Sequence, residues 1–278
     1  MKIMKLFAIL FLFLSWRCFA TTIDPMSVCS LYLFELLPSS TNGLGLTGTG
    51  FIVANKGTNY LITNWHVLSG REWPATNSTD PKGSFPKDVI IFCNSKVLGN
   101  WIPVSEPLYD TNGVPLWLED KSGGLNIDVV ALPLTFPDDR VQLYPLDLNL
   151  ESVDMQLSPA MSVSIIGFPN ILTNPGEFPV WKTGNIASDP DIDYKKKPLM
   201  LVSVIIRKGM SGSPVIARNI GTYIDKKGNT VVHAGITDKF LGVLSGYQPD
   251  NEIAYVWKSR VISEILEHGQ RGTLTTKQ

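Results

Sequence analysis

His66, Asp128 and Ser211 stand far apart in the chain, each in a short motif at one end of an apolar run. His66 follows Tyr60-Leu61-Ile62 in the string Thr63-Asn64-Trp65-His66-Val67. Asp128 sits at the head of Asn126-Ile127-Asp128-Val129-Val130-Ala131-Leu132. Ser211 is flanked by glycines in Gly209-Met210-Ser211-Gly212-Ser213-Pro214, ahead of Val215-Ile216-Ala217. Taken singly, each has a plainer explanation: a satisfied polar residue, a cap before a strand, a loop. Together they hold the parts of nucleophilic acyl transfer. A serine hydroxyl needs an imidazole to take its proton, and that imidazole needs a carboxylate to fix its tautomer and orientation. Histidine titrates near working pH, which suits a general base. Glycine at 209 and 212 lets the chain turn so that the N–H groups of Gly209 and Ser211 can serve a developing oxyanion.

Such a constellation must be held by loops on a rigid frame, and the frame reads as many short strands. Apolar runs of strand length lie at Cys29–Leu37, Gly50–Ala54, Tyr60–Thr63, Val89–Cys93, Ile127–Leu132, Met161–Ile166, Leu199–Ile206, Val231–Ile236, Leu241–Ser245 and Ile253–Val256. Gly, Pro, Asn and Asp punctuate them, a spacing typical of sandwiches and barrels. One helix is expected, on the stripe Trp257, Val261, Ile265 with Ile262 and Leu266 beside it. Gly269 would stop it, and His268 suits the negative end of its dipole. Gly70 to Gly124 reads as loop-heavy, with six prolines from Pro74 to Pro115. Pro133 to Leu146 reads as the connection between two halves, placing an N-terminal unit at 21–135 and a C-terminal one at 136–278. Lys195-Lys196-Lys197 reads as a solvated turn.

Residues 1–20 look like a signal peptide: Lys2 and Lys5, an unbroken apolar run from Leu6 to Leu14, then Cys18-Phe19-Ala20 before a cut. The run is too short to span a bilayer, and an uncleaved N-terminal anchor is the alternative. Removing the segment takes away Lys2, Lys5 and Arg17 and no acid, which moves the formal charge from −1 to −4. The expected product is exported, periplasmic or secreted, without stable membrane insertion. Lys+Arg 24 against Asp+Glu 25 leaves no basic excess, so charge-driven nucleic-acid binding is excluded. Three histidines without metal-ligand spacing predict no metal and no cofactor. Export permits a Cys29–Cys93 bridge, and two separate buried thiols fit equally well. Asn77-Ser78-Thr79 is a glycosylation sequon, meaningful only in a eukaryotic host. Oligomeric state stays open.

The motifs and their His…Asp…Ser order resemble the chymotrypsin-like serine peptidases. Thr49-Gly50-Phe51-Ile52-Val53 and Leu241-Gly242-Val243-Leu244-Ser245-Gly246 add to the likeness. Gly167-Phe168-Pro169 followed by Gly184-Asn185-Ile186 is similar to bacterial trypsin-like peptidases near the glutamyl endopeptidases and HtrA proteases. The resemblance implies an all-β fold of two antiparallel six-stranded barrels with a C-terminal α-helix, and a triad in the cleft between the barrels. It implies that Ser245 lies behind the Asp128–His66 pair and that Ser245, Gly246 and Tyr247 edge the substrate cleft. Ile205 takes the place of the specificity Asp of trypsin-type enzymes, and Leu244 that of the glutamate-selecting His. With Ile206, these imply a pocket for small or medium apolar side chains. Peptides or proteins are the implied substrates.

Two departures carry meaning. Met210 stands where the digestive enzymes hold an acid that pairs with a new N-terminus, so activation by that ion pair is not expected. No regulatory peptide-binding domain is expected after Gln278. Two other function classes share some of these features: a catalytically silent binding module on the same scaffold, and an α/β-hydrolase esterase. The esterase fold wants Gly-x-Ser-x-Gly, alternating helices, and a catalytic His after the Ser; Ser213 replaces the second glycine, and only His233 and His268 follow Ser211.

Overall fold

The structure is a computed structural model that describes residues 23–37, 45–74, 78, 85–122, 126–135, 139–170 and 175–273. The proposed signal peptide lies outside the described residues, as do Asn77 and Thr79 of the sequon. In chain order the elements are α1 (Pro25–Cys29), β1 (Ser30–Leu36), β2 (Gly45–Asn55), β3 (Thr58–Thr63), α2 (Trp65–Ser69), β4 (Asp88–Asn94), β5 (Trp101–Pro107), β6 (Leu118–Glu119) and β7 (Val130–Pro133). Then follow β8 (Ser162–Gly167), β9 (Val180–Ile186), β10 (Leu199–Ser203), β11 (Pro214–Ile224), β12 (Thr230–Gln248), β13 (Ile253–Lys258), α3 (Arg260–His268) and β14 (Gln270–Arg271). The strands of the first half, joined by β14 from the C-terminal end, form an eight-stranded antiparallel sheet in the order β14-β6-β7-β3-β2-β1-β4-β5. The second half is a closed barrel, β10-β13-β12-β11-β8-β9. Among the described residues this all-β architecture has no alternating helices, which rules against the α/β-hydrolase alternative.

The halves meet through apolar side chains. Phe51, Ile62 and Val129 from the first pack with Ile166, Phe240 and Trp257 from the second. The Phe51 and Phe240 rings meet edge-on, 5.6 Å between centroids. Each such burial is worth about 1.5–3 kcal/mol, which fixes the two frames against each other. Helix α3 adds Val261, Ile262 and Ile265 to the same cluster. From it the chain passes back to the first sheet, where Gln270 pairs with Glu119.

Several elements differ from their expected extents, for physical reasons. Trp257 shares the helical spacing but lies in β13, paired with Leu199 and Val243; the helix begins at Arg260. β5 occupies the Pro-rich region read as loop. It is the outer strand of its sheet, where a proline's missing N–H costs no ladder bond on the solvent side. The runs Val231–Ile236 and Leu241–Ser245 are parts of one strand, β12, whose hairpin with β11 carries Ile220 and Val232 out into solvent at 75% and 79% exposure. Cys29 and Cys93 are separate buried thiols. Burial, and then the charge of Asp24, pushes the Cys29 thiol up to about 11.

Glu35 on β1 is 1% exposed, and neither carboxylate oxygen has a hydrogen-bond partner among the described residues. Burial pushes its carboxyl well above the usual range. Burial, with the Glu35 charge second, pushes the nearby Tyr109 hydroxyl up to about 12. The folded state therefore holds a proton on Glu35 that the unfolded chain releases above pH about 4.3. Stability must fall as pH rises from there toward Glu35's raised folded value, by up to about 1.4 kcal/mol per pH unit. Thermal melts between pH 4 and pH 8 should show this decline in the wild type and its loss in Glu35→Gln. Identical slopes in the two proteins would refute it.

Candidate active site

Each of the three candidate residues is delivered by a local device. β3 ends at Thr63, Asn64 caps the one-turn helix α2, and His66 occupies its first turn. Trp65 and Leu68 are buried beneath it. Asn64 is fully buried, and its Nδ2 donates to the Asp128 carbonyl oxygen at 2.7 Å. The run 127–129 leaves the expected strand and β7 starts only at Val130. That departure frees Asp128, which has no exposed surface, to receive three hydrogen bonds. Its Oδ1 accepts from the His66 backbone N–H at 2.9 Å; its Oδ2 accepts from His66 Nδ1 at 2.7 Å and from Ser245 Oγ at 2.5 Å. A carboxylate accepting at Nδ1 holds the proton there and leaves Nε2 as the basic nitrogen.

Ser245 and Gly246 lie at a register shift in β12. Leu244 pairs with Val256 and Tyr247 with Ala254, so two residues oppose one. A bulge of this kind re-aims side chains. Here Ser245 faces Asp128 through its hydroxyl, and its carbonyl oxygen receives Ser211 Oγ at 3.4 Å. That bond is long, and among the described residues Ser211 Oγ makes no hydrogen bond to His66. Such catalytic contacts commonly tighten only when substrate binds.

The loop bearing Ser211 is clasped by the first half. Thr49 N–H donates to the Ser211 carbonyl oxygen at 2.8 Å, and Thr49 Oγ1 donates to the Gly209 carbonyl oxygen at 2.8 Å. The same hydroxyl accepts from Phe168 N–H at 3.1 Å, while Thr63 Oγ1 donates to the Thr49 carbonyl oxygen at 2.8 Å. Asn170 N–H donates to the Lys208 carbonyl oxygen at 3.0 Å. Gly209 adopts φ +94°, a left-handed conformation that L side chains rarely take. With its carbonyl engaged by Thr49, the N–H groups of Gly209 and Ser211 form no hydrogen bond among the described residues. They remain available as a pair of donors.

His66, Asp128 and Ser211 line one cleft of about 740 Å³, together with Ile206, Ser245, Gly246 and Tyr247. Two other residues implied by the resemblance lie elsewhere. Ile205 is 42% exposed and Leu244 is fully buried in the barrel core with Val215 and Val256; neither lines the cleft. The cleft wall also includes Arg71, Glu72, Trp73, Arg207 and Lys208, which sequence reasoning did not single out. Proximity was the available signal: three of them follow the His66 helix and two precede Gly209. The Thr49 hydroxyl was also missed, although Thr49 lies in a motif that carries the resemblance. Its partners are more than a hundred residues away, which no local pattern reveals.

Among the described residues, no helix is long and apolar enough to cross a membrane. No curated protein matches the chain. The crystal structure of the Rv3671c protease in its inactive form is similar at 18% sequence identity and a TM-score of 0.45, over 87% of this chain and 88% of that one. A family model for the trypsin-like peptidase domain matches residues 48–223, more than half of the chain and all three of the residues gathered in the cleft. On that match the chain belongs to the trypsin-like peptidase domain family.

Proposed function

We propose that the protein is an exported serine endopeptidase that cleaves peptide bonds through an acyl-enzyme. The observation that carries the reading is the imidazole of His66, anchored by Asp128 through both its ring and its backbone, in the same cleft as Ser211. In this reading Ser211 Oγ leaves its long bond to the Ser245 carbonyl and approaches His66 Nε2. His66 takes the hydroxyl proton as Oγ bonds to the substrate carbonyl carbon, and the carbonyl oxygen becomes an oxyanion held by the N–H groups of Gly209 and Ser211. His66 then returns the proton to the departing amine. Water repeats the sequence on the acyl-enzyme and releases the acid. The buried Asp128 stabilises the imidazolium formed in each half-reaction.

Ile206, 6% exposed at the cleft, supports acceptance of small or medium apolar side chains at the cleavage position. The basic start, apolar run and small residues of 1–20 support export to the periplasm or beyond. One observation favours a second reading, a catalytically silent binding module: the Ser211 hydroxyl rests on the Ser245 carbonyl instead of on His66. A fluorophosphonate probe decides between them. The folded wild type should be labelled and Ser211→Ala should not. Absence of labelling in the folded wild type would leave the binding module; labelling that persists in Ser211→Ala would move the nucleophile elsewhere.

A further inference from the structure

Beside the catalytic cleft lies a second cavity of about 390 Å³, and the two share Trp73, Gly246 and Tyr247. Together they form one groove along the β12 edge. Its charge is one-sided. The catalytic part is lined by Arg71, Arg207 and Lys208, and the second part by Lys195 and Lys197. Against these stand Glu72 and Asp128, and Asp128 is already engaged by His66 and Ser245. The lining of the second cavity contains no acid. The whole chain, by contrast, carries 24 basic and 25 acidic residues, so the groove concentrates cations that the composition does not supply on average.

Four of these cations are not consumed by the fold, while Arg71 stacks over the Phe85 ring, 3.9 Å from its centroid. Arg207 and Lys208 are exposed and form no ion pair with the described residues. They directly precede Gly209, so they flank the place where the scissile carbonyl would sit. The Lys195 and Lys197 ammonium groups stand over the Tyr194 and Trp73 rings, each 5.4 Å from the centroid. The solvated turn expected from the sequence, with Lys195 and Lys196 exposed ahead of Leu199, thus also rims an aromatic cavity. Lys195 and Lys196 both hold positive φ, 54° and 59°, a conformation uncommon for non-glycine residues. A groove lined by one sign of charge between low-dielectric walls focuses its field on whatever lies inside.

We propose that this groove selects an acidic peptide segment, with carboxylate side chains flanking the scissile bond and an apolar residue at the bond itself. The inference rests on the peptidase reading and names the substrate class of the same site. Arg207 and Lys208 meet carboxylates beside the oxyanion donors. Lys195 and Lys197 meet those further along the β12 edge, where Trp73, Tyr247 and Tyr255 offer apolar cover for the backbone between them.

The test measures equilibrium binding to Ser211→Ala protein, so that it does not depend on turnover. The probes are a fluorescein-labelled decapeptide with Val at its centre and Glu or Asp at flanking positions, and its Gln/Asn twin. At low ionic strength the acidic peptide should bind about tenfold more tightly, as expected for several rim ion pairs acting together. The advantage should shrink as salt shortens the screening length to about 8 Å at 0.15 M. It should vanish or invert when Arg207→Glu and Lys208→Glu are added to the Ser211→Ala background. Equal affinities for the twins, or a preference untouched by salt and charge reversal, would overturn the proposal. Fluorophosphonate labelling of the wild type is read in parallel. If labelling occurs without acidic preference, only the substrate assignment fails; if acidic preference occurs without labelling, the groove reading stands and the peptidase reading fails.

Discussion

Ser211→Ala is expected to lower turnover by about 10⁶, and His66→Ala by a similar factor, with the double variant scarcely worse than either. The three figures belong together because the groups act as one unit. Without Nε2 the hydroxyl keeps its proton and is a weak nucleophile; without the hydroxyl the imidazole has nothing to activate. A loss of 10⁶ corresponds to about 8 kcal/mol of barrier. Asp128→Ala should cost less, about 10⁴, because the base and nucleophile survive and only their preparation is lost. In this protein that preparation is concrete: Asp128 fixes the proton on Nδ1, ties the His66 backbone N–H, and is itself steadied by the Ser245 hydroxyl. Single-turnover and steady-state rates on one peptide substrate would measure the series. Independent, multiplicative losses in the double variant would contradict a triad.

Gly209→Ala should reduce kcat by about 10² to 10³, the usual effect of losing one oxyanion donor. A Cβ there would stand 2.3 Å from the Phe168 carbonyl oxygen and 1.9 Å from Asn170 Oδ1, at φ +94°. Asn170 can swing its amide aside, but the Phe168 carbonyl is backbone, so the peptide of residue 209 has to move. Moving it also disturbs the bond from Thr49 Oγ1 to the Gly209 carbonyl. Thr49→Val offers a companion that introduces no clash. It keeps the shape and leaves both the Gly209 carbonyl and the Phe168 N–H without their hydroxyl partner, a cost of about 1–3 kcal/mol per buried group. Fluorophosphonate labelling rate and thermal melting measured on both variants separate the effects. Gly209→Ala should slow labelling more than it lowers stability, and Thr49→Val should lower both. Full activity in Gly209→Ala would remove Gly209 from the oxyanion role.

The parts of this molecule legible in the sequence are those whose reason is local. Short apolar runs between turn residues gave β3, β4, β8 and β13 to within two residues at either end, since burial and turn chemistry both act over a few positions. The three motifs around His66, Asp128 and Ser211 were legible because their order along the chain is informative. What escaped depended on partners distant in sequence. β5 contains Pro103 and becomes a strand only because it lies at a sheet edge. Trp257 keeps helical spacing with Val261 and Ile265 because a strand and a helix happen to bury adjacent faces in one cluster. Asp128 belongs to an apolar run that looks like a strand, yet it must leave the ladder for its carboxylate to receive both His66 donors. The groove cations come from residues 71, 195, 197, 207 and 208, and only folding makes them neighbours.

The path of the chain after the second barrel has a consequence for when the molecule can work. Gln270 and Arg271 supply an edge strand to the first sheet beside Glu119 and Leu118, and α3 plugs the apolar seam on the way. A polypeptide still emerging from the ribosome possesses His66 and Asp128 long before it possesses this plug. On the proposed peptidase reading, proteolytic competence is thereby deferred until nearly all of the chain has been made.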